Sequence, residues 1–289
     1  PNDTSGRLQL ADWIVSPDNP LTSRVLANRI WTWLFGAGLV RSVDNFGTTG
    51  ETASHPELLD YLAMRIQEND WSIKSTVREI VLSRTWQLST VPDEGLLELD
   101  PDNRLLTHYP RRRLDAEQLR DAILAVNGNL DLTQYGPNIE GAGEINANST
   151  AAQNIEYNYV FKDRRRSVYT PAFRVKRHEL FELFDFGNVN FSLGQRNVST
   201  VALQALYLLN NPFVIEQSRH AAEKLIEQVE DPEIRLNAAF LQTLGREPSV
   251  QERALVSSYL QDGLSSDSIE DWASVFQTLF GTIDFRYLN

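Results

Sequence analysis

The sequence predicts a mainly α-helical protein: a compact multi-helix domain with an irregular, partly extended central segment. Three observations predict it. Apolar residues recur at helical spacing toward both ends of the chain. Helix-start signals, namely capping residues and prolines, stand just before those runs. Between them, from Asn127 to Asp163, the chain is rich in Gly and Asn and has no such period. The predicted organisation is a single domain over 1–289, with helical parts 1–126 and 200–289 packed together around an excursion at 127–199.

The first helix is Leu21 to Phe35, capped by Asn19 or Thr22. It contains the start of "NRIWTWLFGAGLV", an apolar and aromatic run that opens on Asn28 and Arg29. Projected on a helix, Arg24, Asn28, Trp31 and Phe35 share one stripe, and Leu26, Ile30, Trp33 and Leu34 lie opposite. A helix apolar on two faces is expected to pack on both. Arg29, Thr22 and Thr32 fall in the remaining arc, toward solvent. Arg24 and Asn28 lack that escape, and a buried guanidinium needs hydrogen-bond partners. Either an internal carboxylate or carbonyl groups supply them, or Arg24, Asn28 and Trp31 line a pocket floor.

The next helix follows Ser54-His55-Pro56-Glu57, read as a capping box, with Leu58, Leu59, Leu62 and Ile66 behind it. "RRRLDAEQLRDAILAV", Arg111 to Val126, reads as a third helix with Ala116, Leu119, Ala122, Ile123 and Val126 on its core face. Arg113, Glu117 and Arg120 stack on another face and are expected to supply the carboxylate that Arg24 needs. In the middle, "SVYTPAFRV" from Ser167 to Val175 is the best strand candidate, with Pro171 favouring an edge. Two helices are expected over Val201–Asn210 and Pro212–Gln228. Another starts at Asp231-Pro232, with Ile234, Ala238, Leu241 and Leu244 on one face and Gly245 as its stop. Ser249 to Glu252 repeats the capping-box pattern, and Trp272, Val275, Phe276, Leu279 and Phe280 form a final helical seam.

The chain has 289 residues, 42% of them hydrophobic and 23% charged, ordinary for a globular protein. It holds no run of about 18 apolar residues, so no membrane-spanning helix is expected. It begins at Pro1 rather than Met and is read as part of a longer protein. With no cysteine, it has no disulfide, thiolate metal site or C-x-x-C-H haem attachment. The net charge of −12 argues against nucleic-acid binding. That charge is uneven. Lys162 to Arg177 holds seven bases against Asp163 alone, while Glu216 to Asp271 is net negative. The basic stretch either solvates the surface or forms a groove for an anionic ligand.

Phosphate-binding, dinucleotide-binding, zinc-protease and serine-hydrolase motifs are all missing. Gly36-Ala37-Gly38 and Gly141-Ala142-Gly143 are too short to count. Of the four histidines only His178, with Glu182, has metal-like spacing, so no metal site is expected. Asn148-Ser149-Thr150 fits a glycosylation sequon that is common by chance. Carboxylates abound, but no spacing selects a catalytic pair. The ligand-binding candidates are therefore Arg24, Asn28, Trp31, Arg112, Arg113, Arg165, Arg166 and Tyr169, and no catalytic residue is assigned.

A series of ordered motifs carries a resemblance. They are Asn19-Pro20-Leu21-Thr22, Arg24-Val25, Asn28-Arg29-Ile30-Trp31, Phe35-Gly36-Ala37-Gly38-Leu39-Val40 and Asp44-Asn45-Phe46-Gly47. Ser54 to Asp60, Trp71 to Lys74, Ile80 to Ser83, "NRLL" at Asn103 and "RRRLDAEQLRDAIL" follow. "RRSVY" at Arg165, "FDF" at Phe184, "ALYLLNNPFV" at Ala205 and "LGREPS" at Leu244 complete it. The chain thus resembles, over nearly its whole length, domain-of-unknown-function family fifteen fifty-three, found in large secreted proteins of planctomycetes. It departs where the usual Gly-Gly-Pro is Tyr135-Gly136-Pro137. The resemblance implies export to the periplasm or beyond, partnership with other domains of the same protein, and often a separate N-terminal cytochrome c domain that would hold the haem. It brings no catalytic residues. The expected function is a non-catalytic binding or scaffold module that recognises an acidic or sulfated glycan or a partner domain. The alternative is an extracellular polysaccharide hydrolase with a carboxylate pair in a cleft.

Overall fold

The computed structural model describes residues 5–139, 150–260 and 267–288. Asn148-Ser149 of the sequon and Gly141-Ala142-Gly143 lie outside them. The protein is mainly α-helical, with two very short strands among the described residues, β1 (Arg112–Arg113) and β2 (Tyr287–Leu288). Contacts gather it into two compact units, 1–112 with 193–195, and 113–192 with 196–288.

The first unit carries α1 (Arg7–Val15), α2 (Thr22–Phe35), α3 (Pro56–Glu68), α4 (Ile73–Val81) and α5 (Glu94–Leu99). The N-cap of α2 is Leu21, without a side-chain cap bond, rather than Asn19 or Thr22; Asn19 Oδ1 accepts the Leu21 N–H at 2.9 Å just ahead of the helix. It ends at Gly36, whose φ of 82° is the left-handed cap a side chain would strain. Helices α2 and α3 pack through Ala27, Ile30, Trp31, Leu59, Leu62 and Ile66, all buried. Full burial of each large side chain contributes about 1.5–3 kcal/mol. The capping box at Ser54 does not form. The Ser54 N–H goes to Leu39 C=O at 2.9 Å and its hydroxyl to His55, so His55 becomes the N-cap with no side-chain bond. Trp33 is also not packed as predicted; it is 54% exposed, so α2 buries one broad face rather than two.

The second unit carries α6 (Ala116–Val126), α7 (Thr150–Asn158), a single 3-10 turn (Ser167–Tyr169), α8 (Glu179–Leu183), α9 (Ala202–Asn210) and α10 (Pro212–Gln228). It continues with α11 (Pro232–Leu244), α12 (Val250–Tyr259), α13 (Ile269–Gly281) and α14 (Ile283–Arg286). The core forms where α10 offers Val214, Ala221, Ala222 and Leu225 to Trp272, Phe276, Leu279 and Phe280 of α13. Helix α12 starts with the predicted capping box, Ser249 Oγ accepting the Glu252 N–H and Glu252 accepting the Ser249 N–H.

Three expectations are corrected here. Helix α6 starts at Ala116, not Arg111, because Asp115 and Gln118 form a capping box and end the preceding extended stretch. The strand expected over Ser167–Val175 is absent: Asp121 captures the Ser167 N–H and hydroxyl, and a 3-10 turn results. In α11 the buried face is Leu236, Ala239, Phe240 and Thr243, while Ile234 and Leu241 face out. The helix carries two apolar stripes. Arg235 turns inward because its guanidinium lies over the Trp272 ring and meets Asp267 at 2.8 Å, which fixes the buried stripe.

Candidate functional site

In the first unit, the polar residues of α2 are bound to the protein itself. Asn28 is fully buried. Its amide donates to Val40 C=O at 2.9 Å, and its carbonyl oxygen accepts the Val40 N–H at 2.8 Å. The side chain thus satisfies both backbone groups, N–H and C=O, of one buried residue. This explains the run that follows. A Cβ on Gly38 would stand 2.7 Å from the Asn28 amide nitrogen, so only Gly lets the Phe35–Val40 loop close on the helix. Trp31 is buried and stacks on Phe35, with ring centroids 4.2 Å apart. Thr32, expected toward solvent, is buried and donates to Asn28 C=O at 2.7 Å. Arg24 is half-exposed rather than trapped. It donates to Asp60 at 2.6 Å and to Pro20 C=O at 2.7 Å. Its partner is therefore on α3, not on the ladder of α6. Arg29 lies 3.8 Å from Asp44. Arg112 donates to the last carbonyls of α2, Trp33 and Leu34, where a cation is favoured.

In the second unit the expected Arg113–Glu117–Arg120 ladder is taken apart. Arg113 is buried and paired with Asp185 at 2.6 Å, which also accepts from Ser199. Burial pushes the Asp185 carboxyl up, but the Ser199 N–H and the Arg113 guanidinium outweigh it and hold it below the usual range. Glu117 takes both terminal nitrogens of Arg196. Arg120 turns inward, almost fully buried. It donates to the carbonyls of Asp163 and Arg165 and to the Ser167 hydroxyl. Burial lowers its pKa, with Asp121 opposing.

Asp163 and Arg165 also line a cavity of about 710 Å³, within the range of small-ligand sites. Its lining is Pro137, Asn138, Ile139, Asn154, Ile155, Asn158, Tyr159, Val160, Asp163 and Arg165. Arg165 is the cation of the wall. Its guanidinium lies 4.0 Å over the Tyr169 ring, so these two predicted residues do meet. Arg166 is exposed beside them. Helix α7, another wall, is pinned by Glu156, which accepts the N–H groups of Val175 and Lys176, and by Lys176 donating to Tyr157 C=O at 2.9 Å. Below the wall an aromatic series runs from Tyr159 through Phe161 to His178 and Phe181. His178 is buried there, and burial, with Arg120 nearby, lowers its pKa to about 4. It is neutral at pH 7, and its Nδ1 accepts the Leu180 N–H at 3.2 Å. Among the described residues there is no cluster of three metal-ligating side chains, and no helix is long and apolar enough to cross a membrane.

The charge pattern completes the geometry. Among the described residues, none of Lys162, Arg164, Arg165, Arg166, Arg174, Lys176 and Arg177 forms an ion pair, while most arginines elsewhere do. In a chain with 39 acids and 27 bases, such a concentration of bases stands out.

The family model described as Protein of unknown function (DUF1553) matches residues 6–260. The chain belongs to this family. No curated protein and no solved structure matches it. The span matched by this family includes both the Asn28 clamp and the whole cavity lining. The candidates read from the sequence include Arg165 and Tyr169, which meet, but not Asn154, Asn158 and Tyr159 of the lining, Tyr135 beside Tyr169, or the inward Arg120. One signal was present for Arg120, its place between Leu119 and Ile123 on the core side of α6.

Proposed function

We propose that this chain is a non-catalytic binding module of a larger exported protein, and that the cavity of its second unit receives an acidic or sulfated saccharide. One observation carries the reading: seven bases that form no ion pair among the described residues of a strongly acidic chain, one of them, Arg165, in the cavity wall. A guanidinium suits carboxylate and sulfate oxygens. The amides of Asn138, Asn154 and Asn158 offer donors and acceptors for sugar hydroxyls, and the Tyr159 ring offers an apolar face. Export, and association with a cytochrome c domain elsewhere in the protein, rest on family membership. In this reading the polar residues of α2 belong to the scaffold rather than to the site.

Polysaccharide hydrolysis is less well supported. It requires two carboxyl groups facing one cleft. Among the described lining residues Asp163 is the one carboxylate, and its Oδ1 already accepts the Arg165 N–H at 2.8 Å. Calorimetric titration with oligogalacturonate, heparin and a neutral xylo-oligosaccharide tests the proposal. The expected result is binding of the acidic sugars, weakened by salt and lost in Arg165→Gln, with none for the neutral one. Flat titrations with both acidic sugars would sink it, and release of reducing ends would revive the hydrolase.

A further inference from the structure

The Arg165 guanidinium is already engaged. One terminal nitrogen donates to Tyr135 C=O at 2.6 Å and the other to Pro137 C=O at 3.1 Å. The Tyr135 N–H in turn donates to the Tyr169 hydroxyl at 2.9 Å. These three bonds hold a strap, Tyr135-Gly136-Pro137, at the cavity edge. The strap buries nothing of its own: all three residues are exposed, the Tyr135 side chain strongly so.

Two features make the latched strap a poor resting place. Tyr135 has φ +67°, a left-handed conformation that a side chain disfavours. The Arg165 Nε–H is buried with no acceptor among the described residues. The root of Arg165, by contrast, is fixed. Its N–H goes to Asp163, its carbonyl accepts from buried Arg120, and its backbone bridges to Asp131. Only the tip is shared between the strap and the cavity.

We infer that the strap is a latch on Arg165, displaced when an anionic ligand takes the guanidinium from the strap carbonyls, so that Tyr135 and Tyr169 set the affinity of the site. This rests on the acidic-saccharide reading above. A ligand that must first open the strap binds more weakly, in proportion to the open fraction. Stabilising the latched state therefore weakens binding, and loosening it tightens binding.

Two substitutions separate this from simple preorganisation of Arg165 by the strap. Tyr135→Gly removes the left-handed penalty without losing packing, and should weaken oligogalacturonate binding about threefold to tenfold. Tyr169→Phe keeps the ring under Arg165 but removes the acceptor of the Tyr135 N–H, and should tighten binding about threefold. On saturation with oligogalacturonate the Tyr135 amide should lose hydrogen-exchange protection, where an ordinary ligand adds it. Preorganisation predicts the reverse signs throughout. If binding needs Arg165 but the two variants shift affinity by less than about twofold, or in the same direction, the latch is overturned while the cavity reading stands. If the unaltered protein binds no acidic sugar, both fall together.

Discussion

In α2, Arg24 donates to Asp60 and to a backbone carbonyl, and Asn28 is sealed against the Val40 peptide. In 162–177, Arg165 lies over the Tyr169 ring, and none of the seven basic side chains forms an ion pair among the described residues. Both stretches place polar groups near aromatics, yet one includes a side-chain ion pair and the other forms none among the described residues. The difference lies in what each neighbour can supply. Helix α2 has a carboxylate on the adjoining helix and a glycine-bearing loop that folds back onto Asn28. In the basic segment Arg165 and Lys176 donate to backbone carbonyls, which satisfy hydrogen bonds without forming an ion pair.

The sharpest way to break this comparison is within α2. Asn28→Ala leaves the buried Val40 N–H and C=O with no partner, and should cost about 2–4 kcal/mol. Arg24→Ala, one turn earlier in the same stripe, should cost less than about 1 kcal/mol, because its pair with Asp60 is half-exposed. Chemical unfolding of both variants reads the contrast. Equal losses would mean that Asn28 is not the clamp.

His178 gives a second, pH-dependent contrast, because it sits behind the basic segment and is kept neutral. Its folded pKa of about 4 lies below the unfolded value near 6.5. Between those values the unfolded chain binds a proton that the folded chain does not. Stability from this group is therefore complete above about pH 6.5 and is lost as pH falls toward 4, by up to about 1.4 kcal/mol per pH unit. The groups nearest it are buried Arg120 on α6, which also disfavours the imidazolium, and the rings of Phe161, Phe181 and Phe213. His178→Asn keeps a side-chain acceptor for the Leu180 N–H and should flatten the midpoint-versus-pH curve in that window. An unchanged slope would show that His178 is not the group responsible.

Helix positions were largely legible, because period and caps are local properties. Trp272 to Phe280 recur at helical spacing and are buried as that spacing implies. Where a helix has two candidate faces, period alone cannot choose. Ile234 and Leu241 of α11 lost to Leu236 and Phe240 because Arg235 found Trp272 and Asp267, which are remote in sequence. Likewise, Ser167 to Val175 has strand-like residues, but Asp121, forty-six positions earlier, holds its first turn. At the site, the excess of bases was visible as composition. That Arg165 meets Tyr169, and that Tyr135 closes on both, depends on a left-handed residue that no apolar pattern marks.

The smallest expected effect is the most discriminating for the basic segment. Arg164, Arg166 and Arg174 are exposed and make no ion pair among the described residues. Replacing all three by Gln removes local like-charge repulsion, but it also makes an acidic chain more acidic. At about 0.1 M salt the Debye length is near 10 Å, so both terms are small for exposed charges. Unfolding free energy should therefore stay within about 0.5 kcal/mol of the unaltered protein. Oligogalacturonate binding should fall in the same variant, most at low ionic strength. A loss of stability above about 1.5 kcal/mol would place these arginines with Asn28, as groups the fold needs. A neutral effect on both stability and binding would leave them as a solvated face, with Arg165 carrying recognition alone.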